Sequence, residues 1–273
     1  MMRVDAHHHV WQLHRGDYGW LTPDLPIHRD HSLDDLRPLL GDITATVLVQ
    51  AAPTEAETQF LLETARNSGG LVRAVVGWVD LAAPDAPLLI ARLARASLLK
   101  GLRPMLQDIS DTEWILRPEI QAGLIEMAAR GLVFDALIQP RHLPIVVTLA
   151  RLHPALPIVI DHAAKPDIAG GGFQPWADDI ARVAHETAAV CKLSGLLTEA
   201  GANQTVADLR PYVAHLLDVF GPRRLLWGSD WPVVNLAGDY HRWREATLEL
   251  LRELPDADRD AILGGTAMTV YGL

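Results

Sequence analysis

The sequence alternates short β-favouring runs with amphipathic helical segments from its first residues onward. Eight such runs occur, and each is followed by a turn and then by a stretch with helical periodicity. Most of the runs are apolar on both faces, which is typical of parallel strands that are covered on each side. The eight predicted strands are RVDAHHHVW (3–11), ATVLVQA (45–51), AVVGWVDL (74–81), KGLRPML (100–106), GLVFDALI (131–138), PIVIDHA (157–163), AVCKLSG (189–195) and RLLWGSD (224–230).

Helix signals occupy the segments between these strands. Ser32 precedes LDDLRPLL, Thr54 and Glu57 have the spacing of a capping box, Asp111 precedes a long amphipathic run, and Gly221 closes TVADLRPYVAHLLDVFG. Eight βα units in 273 residues predict an α/β fold, a single-domain (β/α)8 TIM barrel spanning 1–273. An open doubly wound sheet is the alternative, but such a sheet normally carries a phosphate loop after its first strand, where this chain has histidines.

Charge and composition limit the partners of this chain. The formal net charge is −10 and the basic residues are scattered, so neither nucleic acid nor an anionic membrane is expected to bind. Charged residues interrupt every hydrophobic run before it reaches the length of a membrane span. The lone Cys191 cannot form an intramolecular disulfide, and the N-terminus lacks the pattern of a signal peptide, so a cytoplasmic protein is expected.

Three consecutive histidines lie inside the first predicted strand, in DAHHHVW (5–11). Because side chains alternate along a strand, we expect Asp5, His7 and His9 to share one face and His8 to take the other. In a (β/α)8 barrel the functional residues lie at the C-terminal ends of the strands. His7 and His9 are therefore expected to converge at the barrel mouth.

Two further strand ends supply possible metal ligands. His162 ends the sixth predicted strand and Asp230 ends the eighth. Together with His7 and His9 they offer three imidazole nitrogens and one carboxylate, a donor set that suits zinc and leaves a position for water or substrate. The sequence therefore predicts one divalent metal, with zinc as the preferred ion, or none, and no organic cofactor.

Six segments, taken in order along nearly the whole chain, resemble the amidohydrolase superfamily. They are DAHHHVW, VGWVDL, GLRPMLQD, DHAAKP, CKLSGL and WGSDWPV. More narrowly, they are similar to amidohydrolase family 2 and its sugar-lactonase branch, which contains L-fuconolactonase, L-rhamnonolactonase and 2-pyrone-4,6-dicarboxylate lactonase. Lys165 matches the lysine of the DHxGKP pattern of that branch, whereas Ala164 replaces its glycine.

The resemblance implies a (β/α)8 fold, a strand-8 aspartate that activates water, and hydrolysis of a cyclic ester. Asp230 is accordingly the expected base, with His162 and Arg103 beside it as catalytic residues. The fifth predicted strand ends without the lysine or histidine that completes binuclear sites, so two metals are not expected. The substrate is expected to be a small-molecule sugar-acid lactone.

The substrate contacts are expected from aromatic and charged residues in the long loop after the first strand and near the other strand ends. Aromatic rings stack on sugar rings, while charged and imidazole groups hold hydroxyls. The predicted substrate-binding residues are Trp20, Trp78, Arg103, Lys165, His31 and Lys192.

Two other functions remain open at this point. Metal-dependent decarboxylases of the same superfamily resemble the chain in its HxH pair and its strand-8 aspartate. A non-catalytic barrel that binds a sugar acid or a metal is the alternative outside enzymes. The sequence names neither the lactone, nor its ring size, nor the oligomeric state.

Overall fold

The computed structural model describes residues 2–201 and 203–273, and within them eight parallel strands form one sheet. The strands follow one another around the sheet in chain order, each paired with the next. This order confirms the predicted α/β barrel. The strands are β1 (Val4–His8), β2 (Ala45–Val49), β3 (Val72–Gly77), β4 (Leu99–Leu102), β5 (Val133–Ala136), β6 (Ile158–Ile160), β7 (Val190–Leu193) and β8 (Leu225–Trp227).

The barrel closes where the chain leaving β8 meets β1. The backbone N–H of His9 donates to the carbonyl of Trp231 at 2.7 Å, and that of Asp230 donates to the carbonyl of His7 at 2.8 Å. Gly228 permits this approach, because a Cβ at that position would lie 2.6 Å from Cβ of His7. The segment that carries Asp230 is therefore held directly against the strand that carries the histidines.

Helices connect the strands and cover the outside of the barrel. No helix among the described residues has the length and the apolar run needed to cross a membrane. The helices are α1 (Leu33–Leu36), α2 (Glu55–Arg66), α3 (Ala86–Leu93), α4 (Pro118–Ala129), α5 (Leu143–Leu152), α6 (Trp176–Glu186), α7 (Leu196–Ala200), α8 (Val206–Phe220), α9 (Tyr240–Leu250), α10 (Asp256–Asp260) and α11 (Thr266–Tyr271).

Three of the predicted helix ends are confirmed in position. Ser32 caps α1 in a reciprocal capping box with Asp35, and α8 ends at Gly221. Thr54 caps α2, because its side chain accepts a hydrogen bond from the backbone N–H of Glu57. These caps satisfy backbone groups that have no partner inside the helix.

Glu57 does not complete the predicted capping box at the start of α2. Its carboxylate is buried and accepts hydrogen bonds from the backbone N–H of Ala51 at 3.1 Å and from the Tyr18 hydroxyl at 2.8 Å. Instead of a capping box, Glu57 thus makes hydrogen bonds that connect α2 to the end of β2 and to the long loop after β1. Local spacing could not reveal this, because both partners lie elsewhere in the fold.

The predicted helix start at Asp111 is wrong. The carboxylate of Asp111 accepts from the backbone N–H of Glu113 and from Arg117, in a loop with a short 3-10 turn. Helix α4 begins later, at Pro118. Proline is favoured at the first helical position because its fixed φ suits the helix and its missing N–H has no partner there.

The end of the barrel interior opposite the strand C-termini is filled by small and branched apolar side chains. Helix α11 covers this end: Ala267 and Tyr271 pack against the interior residues. The Tyr271 hydroxyl donates to a carboxylate oxygen of Asp135 at 2.8 Å, where the polar part of the interior begins. The interior apolar residues are Val4, Ala6, Ala45, Val47, Val49, Ala74, Val76, Val133, Val159 and Leu226.

Strand β1 does not alternate regularly, and the prediction that Asp5 shares a face with His7 and His9 is wrong. The two sequence neighbours of Asp5 lie in the apolar interior, so its carboxylate points outward and accepts from the backbone N–H of Ser229 at 2.8 Å. The pairing of β1 with β2 shifts register between Asp5 and His8. This irregularity returns the His7 side chain to the interior.

Candidate active site

A cavity of about 290 Å³ opens at the C-terminal ends of the strands. This is the end at which (β/α)8 barrels carry their functional residues. Its wall combines charged and polar groups with an apolar portion. The lining residues are His9, Trp20, Ala51, Arg103, Met105, Gln107, Asp108, Leu137, His162, Lys165, Thr198, Asp230, Val233 and Leu236.

Three imidazoles surround one carboxylate oxygen at the base of this cavity. Oδ1 of Asp230 lies 3.4 Å from Nε2 of His9, 3.7 Å from Nε2 of His7 and 3.8 Å from Nε2 of His162. All four residues are buried. The structure therefore brings together the four residues that the sequence grouped as possible metal ligands, from β1 and from the ends of β6 and β8.

Hydrogen bonds at Nδ1 orient two of the histidines, so that their Nε2 atoms face Asp230. Nδ1 of His9 lies 2.8 Å from the carbonyl oxygen of Val49, to which it can only donate. Nδ1 of His162 lies 2.8 Å from the hydroxyl of Ser194. The middle member of the triplet, His8, points away and contacts the Thr46 hydroxyl at 2.9 Å.

The chain after β6 turns in the left-handed conformation, and for this reason the strand is shorter than predicted. Residues 162–165 all have positive φ values between 52° and 59°. The indole N–H of Trp176 donates to the carbonyl of Ala163 at 2.7 Å and holds the turn. Left-handed backbone is costly for residues with a Cβ, so the surrounding contacts must stabilise it. Ala164 lies in this turn with φ 59°, a conformation that glycine adopts more readily.

A layer of buried charge lies below the histidines. The Lys192 ammonium contacts Asp161 at 2.9 Å, Asp135 at 3.0 Å and Nδ1 of His7 at 3.2 Å. Arg103 adds a second cation, 3.3 Å from Asp161 and 3.4 Å from Nε2 of His7. Two cations thus face two carboxylates, which is the pairing that buried charges require.

These contacts set the protonation of the site. Burial alone would raise the pKa of Asp161, but Lys192 and His7 outweigh it and hold that pKa well below its ordinary value. For Asp135 burial prevails and raises the pKa to about 6, although Lys192 opposes it. Burial also lowers the pKa of His162 to about 4.

Asp230 remains ionised at neutral pH. Burial would raise its pKa, but the surrounding histidines outweigh this effect, with His162 contributing most, and hold the pKa below its ordinary value. An ionised carboxylate in contact with three imidazoles can accept a proton or ligate a cation. Both uses are open to this geometry.

The donor set fits zinc. His9 donates from Nδ1, which leaves its Nε2 with a lone pair facing Asp230 and His7. The ligand atoms of His7, His9 and Asp230 all lie within 4.8 Å of one another, and the same holds for His7, Asp161 and His162. Buried imidazole nitrogens and carboxylate oxygens are ordinary zinc ligands.

Three of the predicted substrate-binding residues line the cavity. Trp20 forms part of its wall, and its indole N–H donates to the carbonyl of Ala51 at 2.7 Å. Lys165 lies at the rim, 3.8 Å from Glu199. Arg103 also lines the cavity, although its guanidinium is held by Gln50 and Asp161.

The other three predicted substrate-binding residues do not line this cavity. Lys192 has no exposed surface, and its ammonium lies against His7, Asp135 and Asp161. His31 is buried with its ring between Trp11 and Trp231. Trp78 lines an adjoining cleft, which shares Met105 and Asp108 with the cavity that contains Asp230.

Sequence reasoning missed several residues of the site. Asp135 could have been found, since it is the only carboxylate in an otherwise apolar strand candidate, GLVFDALI. Gln107, Asp108 and Thr198 line the cavity but follow strand ends by several residues. Gln107 and Asp108 end the GLRPMLQD segment, but neither their spacing nor that of Thr198 predicts a side chain that faces the cavity.

Family membership follows from comparison with known proteins. The amidohydrolase family profile matches residues 4–273, which is nearly the whole chain. This chain belongs to the amidohydrolase family. The resemblance read from its motifs is thereby confirmed.

Curated relatives place this amidohydrolase near lactonases. An L-fucono-1,5-lactonase from Burkholderia ambifaria is 45% identical over 277 aligned residues, covering 98% of this chain and 95% of that protein. An L-fucono-1,5-lactonase from Burkholderia multivorans is 36% identical, and the alignment covers 100% of this chain and 96% of that protein. The crystal structure of a Burkholderia multivorans amidohydrolase with bound zinc has a TM-score of 0.92 and 36% identity, with both chains fully covered.

Proposed function

We propose that this amidohydrolase opens the cyclic ester of a sugar-acid lactone, with L-fucono-1,5-lactone as the first candidate substrate. The observation that carries the proposal is the meeting of three imidazoles at one oxygen of Asp230, at the base of a cavity lined in part by charged residues. The 45% identity to an L-fucono-1,5-lactonase over nearly the full length supports the choice of substrate.

Asp230 is the proposed base. Its carboxylate takes a proton from a water molecule as the water oxygen forms a bond to the lactone carbonyl carbon. When the bond between this carbon and the ring oxygen breaks, the same proton passes to the departing alkoxide. One carboxylate thus serves both proton transfers, which requires that it begin ionised, as its lowered pKa provides.

Without a metal, His162 and Arg103 are the proposed partners of the carbonyl oxygen, which becomes negatively charged as water adds. Both line the cavity beside Asp230, and Arg103 brings a fixed positive charge. Groups that face developing charge in a buried site stabilise the transition state more than they would in water. A zinc ion held by His7, His9, His162 and Asp230 would supply Lewis-acid polarisation of the same carbonyl.

The cavity wall suits a polyhydroxylated ring with one apolar substituent. Gln107, Asp108 and Lys165 offer hydrogen-bonding groups, whereas Val233 and Leu236 offer an apolar surface. L-Fucono-1,5-lactone carries several ring hydroxyls and a methyl group. The two kinds of wall therefore match the two kinds of substituent.

A pH-indicator assay with purified protein tests the proposal. Aldono-1,4- and 1,5-lactones are offered before and after chelation, with CO2 release from aromatic carboxylates followed in parallel. We expect acid release from L-fucono-1,5-lactone well above its spontaneous hydrolysis. Binding of lactones without hydrolysis at full zinc occupancy, or CO2 release as the main activity, would overturn the proposal.

A further inference from the structure

The segment after β4 forms one wall of the active-site cavity. Leu106–Asp108 make a short 3-10 turn, from which Gln107 and Asp108 face the cavity. Among the described residues these two side chains have one hydrogen bond, a long contact of 3.5 Å with each other. Their polar atoms are therefore available to a ligand.

Arg141 holds this segment from outside the cavity. It lies in the turn Pro140–His142 after β5, and its guanidinium uses all five of its N–H donors. The acceptors are the carbonyls of Gln107 at 3.2 Å, Ile109 at 3.0 Å and Ser110 at 3.3 Å, the hydroxyl of Thr112 at 3.0 Å and the side-chain oxygen of Gln139 at 3.1 Å.

The bonding pattern distinguishes Arg141 from an ordinary surface arginine. Arg130, for example, donates to Glu126 one turn earlier on α4. Three of the Arg141 acceptors are instead backbone carbonyls of a loop about 30 residues distant in sequence. A planar guanidinium that bonds several carbonyls of one loop restricts the backbone of that loop.

The inner side of the segment is fixed as well. The backbone N–H of Gln107 donates to the carbonyl of Leu137 at 3.0 Å, so its peptide groups are bound both to the end of β5 and to Arg141. The backbone is thus held in place, while the side chains of Gln107 and Asp108 have only the long contact with each other. This is the arrangement expected of a binding wall that is preorganised before its ligand arrives.

We propose that Arg141 is a positioning residue for recognition of the substrate hydroxyls: it holds Gln107 and Asp108 where they hydrogen-bond a polyhydroxylated lactone. The inference rests on the proposed lactonase function and adds to it which part of the cavity wall distinguishes a sugar lactone from a lactone without hydroxyls. Arg141 contacts neither Asp230 nor the three histidines that surround it, so it acts on substrate binding and not on the chemical step.

Two lactones distinguish an effect on hydroxyl recognition from an effect on the chemical step. L-Fucono-1,5-lactone carries hydroxyls, whereas δ-valerolactone has the same six-membered ester ring without them. For Arg141→Met we expect KM for L-fucono-1,5-lactone to rise about tenfold, with kcat nearly unchanged, since about one hydrogen bond's worth of recognition is lost. The kcat/KM for δ-valerolactone should stay at the wild-type value.

Further variants make the result specific. Arg141→Lys keeps the charge but offers three donors, so its KM should fall between wild type and Arg141→Met. Arg130→Met removes an exposed arginine that bonds Glu126 and not the loop, so kcat/KM should stay at the wild-type value for both lactones. Asp108→Leu should reproduce the loss of selectivity directly.

Two outcomes would overturn the inference. Equal losses of kcat/KM for the two lactones would show that Arg141 supports the reaction centre or the fold as a whole. Wild-type selectivity in both Arg141→Lys and Arg141→Met would show that the loop keeps its conformation without the guanidinium. Inactivity of the wild-type enzyme toward every lactone is a different result, which would overturn the proposed function and this inference with it.

Discussion

The Nε2 atoms of His7 and His9 lie 3.2 Å apart, because two residues that flank a side chain pointing the other way share one face of the chain. The irregular register of β1 turns this face toward the barrel interior, and the closure of the barrel brings it against the segment that carries Asp230. This arrangement places two imidazoles next to one carboxylate oxygen. The reactivity of the site should therefore respond sharply to changes at these positions.

Replacement of Asp230 by Asn should remove the proposed base. We expect kcat for lactone hydrolysis to fall by about 10²–10⁴-fold, the usual contribution of a general acid–base group. The thermal unfolding midpoint and the circular dichroism spectrum should show a folded barrel. Turnover near the wild-type rate in a folded variant would remove Asp230 from the mechanism.

Replacement of His9 by Gln should weaken zinc binding, because Nε2 of His9 is one of the ligand atoms that meet at Asp230. Loss of a ligand should cost no less than loss of an outer-shell partner, so we expect zinc binding to weaken by about 100-fold, measured by competition with a chromophoric chelator. His8→Gln is the matched control, since His8 contacts Thr46 and not Asp230. Equal losses in the two variants would mean that zinc affinity depends on β1 as a whole.

Replacement of Gly195 by Ala should displace the His162 ring. A Cβ at Gly195 would lie 2.7 Å from ring atoms of His162, and φ there is +68°. Gly131 is the matched control, because φ is +64° and a Cβ would meet nothing within 4 Å. Both variants should lose about 1–2 kcal/mol of stability from left-handed backbone. Only Gly195→Ala should also lose most of its kcat. Similar kcat values in the two variants would argue against a catalytic role of His162.

The buried carboxyl of Glu57 should make stability depend on pH. Burial raises its pKa from 4.5 to about 7, so the native state holds the proton more tightly than the unfolded state does. The free energy of unfolding therefore falls as pH rises from about 4.5 to about 7 and levels off above, by at most about 3 kcal/mol.

Glu57→Gln provides the comparison. The glutamine cannot ionise, so the stability of the wild type relative to the variant should decrease between pH 5 and pH 8, as measured by urea unfolding at each pH. A difference that is constant across this range would show that Glu57 titrates near its ordinary value. An increase with pH would show that Arg15, 3.5 Å away, stabilises the carboxylate more than burial opposes it.

Local errors in the sequence prediction have specific causes. Strict alternation puts Asp5 on the wrong face because it does not anticipate a register shift. The same pattern predicts that Lys192 touches substrate, whereas Lys192 lies under His7 and balances Asp135 and Asp161. A strand pattern shows that a side chain points inward without showing how deep in the barrel it lies.

The order of strands and helices and the motifs at the strand ends determined the barrel and the family. Hydrophobic periodicity is a local property, and residues at strand C-termini meet whenever a barrel closes. Only the tertiary structure decided which inward residues reach the cavity and how Gln107 and Asp108 are held. Those features depend on contacts between residues distant in sequence, such as the Arg141 guanidinium on the carbonyl of Gln107 and Lys192 beneath His7. Such contacts form only when the chain is folded, so no local pattern encodes them.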